Sequence, residues 1–310
     1  MITEASVSRN LHSDTGHLTP KSPFDFSKAL DFLAAFPPMM MDDRAVEEAS
    51  LTRAVSVGGT TVAFNVKSTG LIKNPRLTYT LSSERPLPSG LRDAVIDRIN
   101  FFLSLSDDLE PFYRIGYGDI EFAPVIQKLY GLHQVKFLTS FECASWAVLS
   151  QRYPAAAARR MKRSLTEKYG SNLNIENRQH WAFPEPGRLA RVEEKELLSI
   201  VQNERRAQFL LAVAKAFSEM DERFLRTAKY DVVEEKLRAI NGIGEWSSRL
   251  IMLRGLGRME KLSVEKRLLR AASKVYGKGR EVTQSVLDQM AEKYGPWKGY
   301  WAYYLRANHM

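Results

Sequence analysis

The rhythm of apolar and polar positions changes once along the chain. Over 51–57 and 60–67 the two alternate on either side of Gly58-Gly59, which predicts a β-hairpin. Residues 76–81 carry a third strand pattern. Leu91, Val95, Ile99, Phe102 and Leu103 repeat on one helix face, and 24–36 forms a short first element stopped by Pro37-Pro38. Further on, helical periods dominate. They cover 122–130, 140–151 and 154–169, a turn at 187–190, then 194–201, 205–218, 223–227, 232–239, 244–253, 264–276, 283–293 and 297–306. Gly170, Gly242, Gly255, Gly277 and Gly295 fall where these stretches stop or turn. The pattern predicts a mainly α protein in three parts: a polar, mobile tail over 1–21, an N-terminal α+β domain with a small antiparallel sheet over 22–115, and a helical bundle over 116–310.

Composition acts mostly by exclusion. A chain of 310 residues can bury a proper core. No apolar stretch approaches the ~20 residues of a membrane span, and the N-terminus, with Glu4 and no apolar run, does not read as a secretory signal. Cys143 is the single cysteine, which excludes an intrachain disulfide and a thiolate cluster, and the five histidines show no paired ligand spacing. The expectations are a cytoplasmic monomer with no membrane partner, no cofactor and no metal held by side chains.

Charge changes the picture once it is divided along the chain. Residues 1–150 hold 14 Lys+Arg against 17 Asp+Glu, whereas 151–310 hold 31 against 19. Between Arg249 and Arg280 ten basic residues face only Glu260 and Glu265. Such asymmetry points to a polyanionic partner, nucleic acid being the usual one, although a charge run is also what a solvated helix face looks like.

The most specific segment reads Leu237-Arg238-Ala239-Ile240-Asn241-Gly242-Ile243-Gly244-Glu245-Trp246. One helix ends, Gly-Ile-Gly turns tightly, and a new helix begins whose first amides lack intrahelical partners beside the positive end of its dipole. That arrangement suits phosphate, and the glycines let a nucleic-acid backbone approach. Here the chain resembles the helix-hairpin-helix, Gly/Pro-rich-loop DNA glycosylases, and most closely their alkylated-base (3-methyladenine glycosylase II) branch. The similarity extends to Phe141-Glu142 with the stretch up to Gln151, to Phe183-Pro184-Glu185-Pro186, to Gly295-Pro296-Trp297, and to Asp108-Leu109-Glu110-Pro111 at the opening of the bundle.

The resemblance implies a base-excision repair enzyme that flips a damaged base out of double-stranded DNA and cleaves its glycosidic bond. It implies a carboxylate at the start of the helix after Lys261-Leu262-Ser263-Val264, where the family has Asp and this chain has Glu265. A register one residue longer would place Lys266 there instead, and no Asp lies between Asp231 and Asp288. Trp246 stands where bifunctional members carry a nucleophilic Lys, which implies hydrolysis by water. By the same resemblance Gly242, Ile243, Gly244, Trp246, Ser247, Arg254, Lys266 and Arg267 contact the DNA backbone. Trp246, Leu250, Tyr303 and Tyr304 line the base pocket, with aromatic faces suited to a cationic alkylated purine. Arg152 and Tyr153 act as the wedge, and hairpin carbonyls offer a monovalent cation site. Two other readings stay open: a DNA-damage-binding protein without efficient chemistry, because Glu replaces Asp, and an 8-oxoguanine glycosylase.

Overall fold

The computed structural model describes residues 11–39, 46–47 and 49–309. The first part holds β1 (His12–Leu18), α1 (Phe26–Ala35), β2 (Val46–Glu47), β3 (Ser50–Val57), β4 (Thr60–Ser68), β5 (Leu77–Ser83) and α2 (Ser89–Phe102). The strands form one antiparallel sheet in the order β1-β5-β4-β3-β2. The expected tail is corrected here. Residues 1–10 lie outside the described residues, but His12–Leu18 is a sheet strand, in register from His12 opposite Ser83 to Leu18 opposite Leu77. Its polar side chains hide it from a periodicity argument. Backbone pairing to β5 makes the strand, and Leu18 alone in it is buried.

The remaining elements are α3 (Glu110–Tyr117), α4 (Ala123–Lys128), α5 (Ser140–Leu149), α6 (Ala155–Tyr169), β6 (Ser171–Ile175), β7 (Arg178–Ala182), α7 (Pro186–Leu189) and α8 (Glu194–Val201). Then come α9 (Glu204–Glu219), α10 (Glu222–Thr227), α11 (Tyr230–Arg238), α12 (Glu245–Leu250), α13 (Lys266–Tyr276), α14 (Gln284–Glu292) and α15 (Lys298–Ala307). The β6–β7 hairpin was not expected from a purely helical reading. Its turn residues Glu176 and Asn177 both have left-handed φ, at 49° and 63°, as a two-residue hairpin requires. Leu173 and Ala182 of this hairpin cover Ala54 and Ala63 on one face of the large sheet. Leu51, Val55, Val62, Phe64 and Val66 join a core that runs without a break into the helices.

Two helices anchor that core. All ten residues of α5 are buried, the mark of a helix enclosed on every side. Its one charged residue, Glu142, pairs with the buried Lys162 of α6, whose Nζ also donates to the carbonyl of Pro38 at 3.0 Å. In α15 every residue from Gly299 to Leu305 is buried. Trp301 Nε1 donates to the Tyr276 hydroxyl at 2.9 Å, and the hydroxyls of Tyr276 and Tyr294 donate to Asp119 Oδ2 at 2.8 and 2.7 Å. Lys293 completes this network, which binds α13, α14 and α15 to the segment before α4. Burial pushes the Asp119 carboxyl upward, but hydrogen bonds from Lys293, Tyr294 and Tyr276 outweigh it and hold the group below the usual carboxylate range.

A depressed folded-state pKa contributes stability that is present above the unfolded value and lost as pH falls through the folded one. Urea melts of wild type should therefore lose stability below about pH 4. Asp119→Asn should be destabilised at pH 7 and show a flatter acid limb. Parallel acid limbs in the two proteins would refute the role given to Asp119.

Candidate nucleic-acid interface and carboxylate site

The hairpin between α11 and α12 is built around Gly242. Its φ is +93°, and a Cβ there would lie 2.4 Å from the Phe209 ring, so only glycine fits. Gly244 has φ −91° with open space where a side chain would be, which leaves the outer face of the turn bare. Gln151, just beyond α5, ties the turn down. Its Nε2 donates to the Gly242 carbonyl at 2.7 Å and to Ser247 Oγ at 3.2 Å. Two expected backbone contacts are corrected by this packing. Ser247 is buried against Gln151, and Ile243 is buried with its amide donating to the Ile240 carbonyl at 3.0 Å. Gly244 and Trp246 remain exposed.

A cleft of about 1160 Å³ runs between the hairpin and the loop after α5. Arg152 and Tyr153 line it, together with Arg205 and Arg238, two exposed cations that sequence reasoning had not singled out. Arg152 is exposed with φ +54°, and the Tyr153 ring lies 4.1 Å from the Arg206 guanidinium. The wedge candidates and the hairpin thus share one cleft. Ile240 and Gly242, two of the hairpin carbonyls, already accept hydrogen bonds. Among the described residues no cluster of His, Cys, Asp or Glu could hold a metal ion.

Apart from the buried Arg254, the basic run divides into two groups. Arg249, Arg258, Lys261 and Lys278 are engaged with acidic residues. Lys266, Arg267, Arg270 and Lys274 of α13, with Arg280 beyond it, are exposed and pair with no acid among the described residues. The helix buries Leu268, Ala271 and Ala272, so its basic side faces solvent.

Glu265 is the residue that precedes α13, in extended backbone at φ −142° and ψ 166°. Its side chain does not cap the helix. It forms a two-pronged ion pair with Arg306 of α15, Nε to Oε1 at 2.6 Å and Nη2 to Oε2 at 3.0 Å, and Nη2 also donates to the Ser263 carbonyl at 2.5 Å. The Glu265 side chain keeps 33% of its surface exposed. No spacing in the sequence announces Arg306 as its partner, because the two lie 41 residues apart.

Three further assignments change. Arg254, expected on DNA, is only 7% exposed and sits among the rings of Phe32, Phe36 and Tyr303 at 5.0, 4.4 and 5.4 Å. Burial pulls its pKa down to about 10. Tyr303 and Tyr304 are core residues and not pocket walls. Tyr304 donates to the Leu132 carbonyl at 2.8 Å, and Tyr303 offers its ring to Arg254. Leu250 is half-buried against the core, one turn below the exposed Trp246.

The Gln151 link makes a local prediction. Gln151→Ala should raise amide exchange across residues 242–247 about fivefold, the worth of roughly 1 kcal/mol of lost hydrogen bonding. Unchanged exchange there would show that the hairpin holds itself.

No family model matches the chain. A curated DNA-3-methyladenine glycosylase of Bacillus subtilis is 23% identical over 286 residues, spanning 91% of this chain and 93% of the relative. The solved 3-methyladenine DNA-glycosylase from Archaeoglobus fulgidus superposes with a TM-score of 0.79 at 19% identity, over 94% of this chain and 97% of that one. An 8-oxoguanine glycosylase/lyase of Clostridium acetobutylicum, solved with double-stranded DNA, superposes with a TM-score of 0.66 at 14% identity, over 96% and 97%. Among the described residues no helix is long and apolar enough to cross a membrane. By its helical bundle with a small antiparallel sheet and by these superpositions, the chain has the fold of the solved DNA glycosylases it resembles.

Proposed function

We propose that the protein is a DNA base-excision repair glycosylase that hydrolyses the bond between deoxyribose and a flipped-out damaged purine. The observation that carries this reading is the Glu265 carboxylate, part-exposed at the head of a basic helix and held in place by Arg306. Duplex DNA lies against the hairpin and the exposed face of α13, where Lys266, Arg267 and Arg270 meet phosphates. Arg152 or Tyr153 fills the gap left by the extruded base, which lowers the cost of extrusion by restoring stacking.

The chemistry follows from charge development. As the base departs, the sugar becomes oxocarbenium-like, and an anionic carboxylate nearby stabilises it. Water then adds at C1′, loses a proton, and leaves an abasic site. The Arg306 fork keeps Glu265 in one rotamer, at the expense of part of its negative field. Trp246 offers no amine, so no Schiff base forms and the strand stays intact until alkali is added. The alkylated-base class comes from the names of the Bacillus and Archaeoglobus relatives. The burial of Tyr303 and Tyr304 removes the aromatic cage expected for a cationic base.

The same ion pair supports a second reading, a damage-binding protein whose carboxylate is committed to Arg306. One assay separates them: end-labelled duplexes, each with a single lesion, are incubated with protein and then treated with alkali. Wild type should release a base, and Glu265→Gln should do so at least ~100-fold more slowly. Glu265→Asp should lose on the order of 100-fold because a shorter arm draws the carboxylate away from Arg306. Lesion binding without release from any substrate would favour the second reading, and cleavage without alkali would overturn the hydrolytic one. Replacing Lys266, Arg267 and Arg270 together with Ala should flatten the plot of log affinity against log salt by about 2 to 3, near 0.9 per phosphate contact. An unaltered slope would move the DNA elsewhere.

A further inference from the structure

Arg206 is the residue of the cleft that neither packing nor the proposed DNA contacts account for. It lies near the start of α9, lines the cleft and is only 7% exposed. Among the described residues its guanidinium has no carboxylate partner. Nη1 donates to the Val201 carbonyl at 3.3 Å, and the group sits over the Tyr153 ring, 4.1 Å from its centre. Burying a charge without an acid is unfavourable, and a Met or Leu would fill the same space without that penalty. What the charge supplies is a fixed seat for an aromatic ring.

Arg152 and Tyr153 both line the cleft, but they are held differently. Arg152 is exposed at left-handed φ, and its side chain has no partner among the described residues. Tyr153 is fixed from three directions. Its amide donates to the Ser150 carbonyl at 3.3 Å, Pro154 follows it at the entrance to α6, and Arg206 covers one ring face. The remainder is open, with 44% of the residue exposed. A tyrosine also brings less rotamer freedom to a contact than an arginine, so it orders at lower entropic cost. The same helix ties this seat to the hairpin. Phe209, on the α9 face that carries Arg206, packs so close to Gly242 that a Cβ there would lie 2.4 Å from its ring.

We propose that Arg206 is a positioning residue that backs Tyr153, so that the free face of the ring stacks on a base bordering the gap left by extrusion. This rests on the glycosylase reading above, narrows its wedge to Tyr153 and adds the support behind it. The base stack then continues into the protein as base, tyrosine and guanidinium, each plane lying on the next. Arg206 stays off the phosphates, because the ring and the Val201 carbonyl already engage it. The unpartnered guanidinium of Arg152 is left to meet a phosphate. A ring seated before DNA arrives needs no ordering at the moment of extrusion, which favours insertion over simple surface contact.

The test uses duplexes that carry a tetrahydrofuran abasic analogue, which presents the gap without any need for catalysis. 2-Aminopurine is placed in turn on either side of the gap or opposite it, because its fluorescence falls when it stacks on an aromatic ring. At one of these positions wild type and Tyr153→Phe should leave the probe dark, and Tyr153→Ala should brighten it. Tyr153→Ala should also weaken binding of the abasic duplex about tenfold and leave binding of undamaged duplex nearly unchanged. Arg206→Lys keeps the charge but loses the flat stacking surface, and should weaken abasic binding about fivefold. Arg152→Ala should keep the probe dark. Equal fluorescence with wild type and Tyr153→Ala at all three positions would overturn the proposal, with no substitution in the buried arginine to disturb folding. A salt slope flattened by about 0.9 in Arg206→Met would overturn it too, by making Arg206 a phosphate contact. Release of no base from any lesion would instead sink the glycosylase reading, and the abasic duplexes would still decide the role of Arg206.

Discussion

The aromatic side chains of α15 impose the constraint on which the site depends. A buried Tyr or Trp must find a hydrogen-bond partner for its polar tip while its ring fills the core. Trp301 reaches Tyr276, Tyr304 reaches the Leu132 carbonyl and Tyr113, and Tyr300 reaches Asp107. These tips point to different elements, so the helix can neither slide nor rotate without stranding several of them. Arg306 follows directly on the same helix and is thereby delivered to one place. Asp119 does the same for α13, through Tyr276, and so fixes the backbone from which Glu265 projects.

Much of this architecture was legible in the sequence where burial and periodicity coincide. The helices from α5 onward repeat apolar residues at helical spacing because one face of each meets a common core. β1 escaped because its side chains are mostly exposed and only its backbone is engaged. β6 and β7 escaped because Asn, His and Gln interrupt the apolar positions, and the signal lies in two left-handed residues, Glu176 and Asn177, that no hydropathy pattern reveals. In the candidate site, the turn at Gly242 follows from local grammar, and Trp246 beside it is exposed. Arg254, Tyr303 and Tyr304 were misplaced because charge and aromaticity do not say which way a helix face points. Arg306 was missed because its partner is distant in the chain.

The Glu at position 265, where the resemblance implies Asp, takes on a different meaning beside Arg306. One extra methylene would ordinarily add a rotamer and loosen the charge. Here the longer arm meets a guanidinium fork at 2.6 and 3.0 Å, and the Ser263 carbonyl holds the same guanidinium from the other side. The freedom added by the side chain is removed by its partner. A bidentate Arg–carboxylate pair is directional as well as attractive, so position is recovered at the cost of part of the field.

The Gln151 amide has a mechanical consequence. It joins the segment bearing Arg152 and Tyr153 to the turn bearing Gly242 and Gly244, so the proposed backbone contact and the proposed wedge are linked through two hydrogen bonds. On the proposed function, free energy gained by gripping a backbone would then be available to strain the stack, because the two segments share these bonds. In the proposed complex an undamaged stack would resist that strain, whereas a weakened one would yield. Discrimination between sound and flawed sites would then begin in the stiffness of this link, before any base reaches the interior.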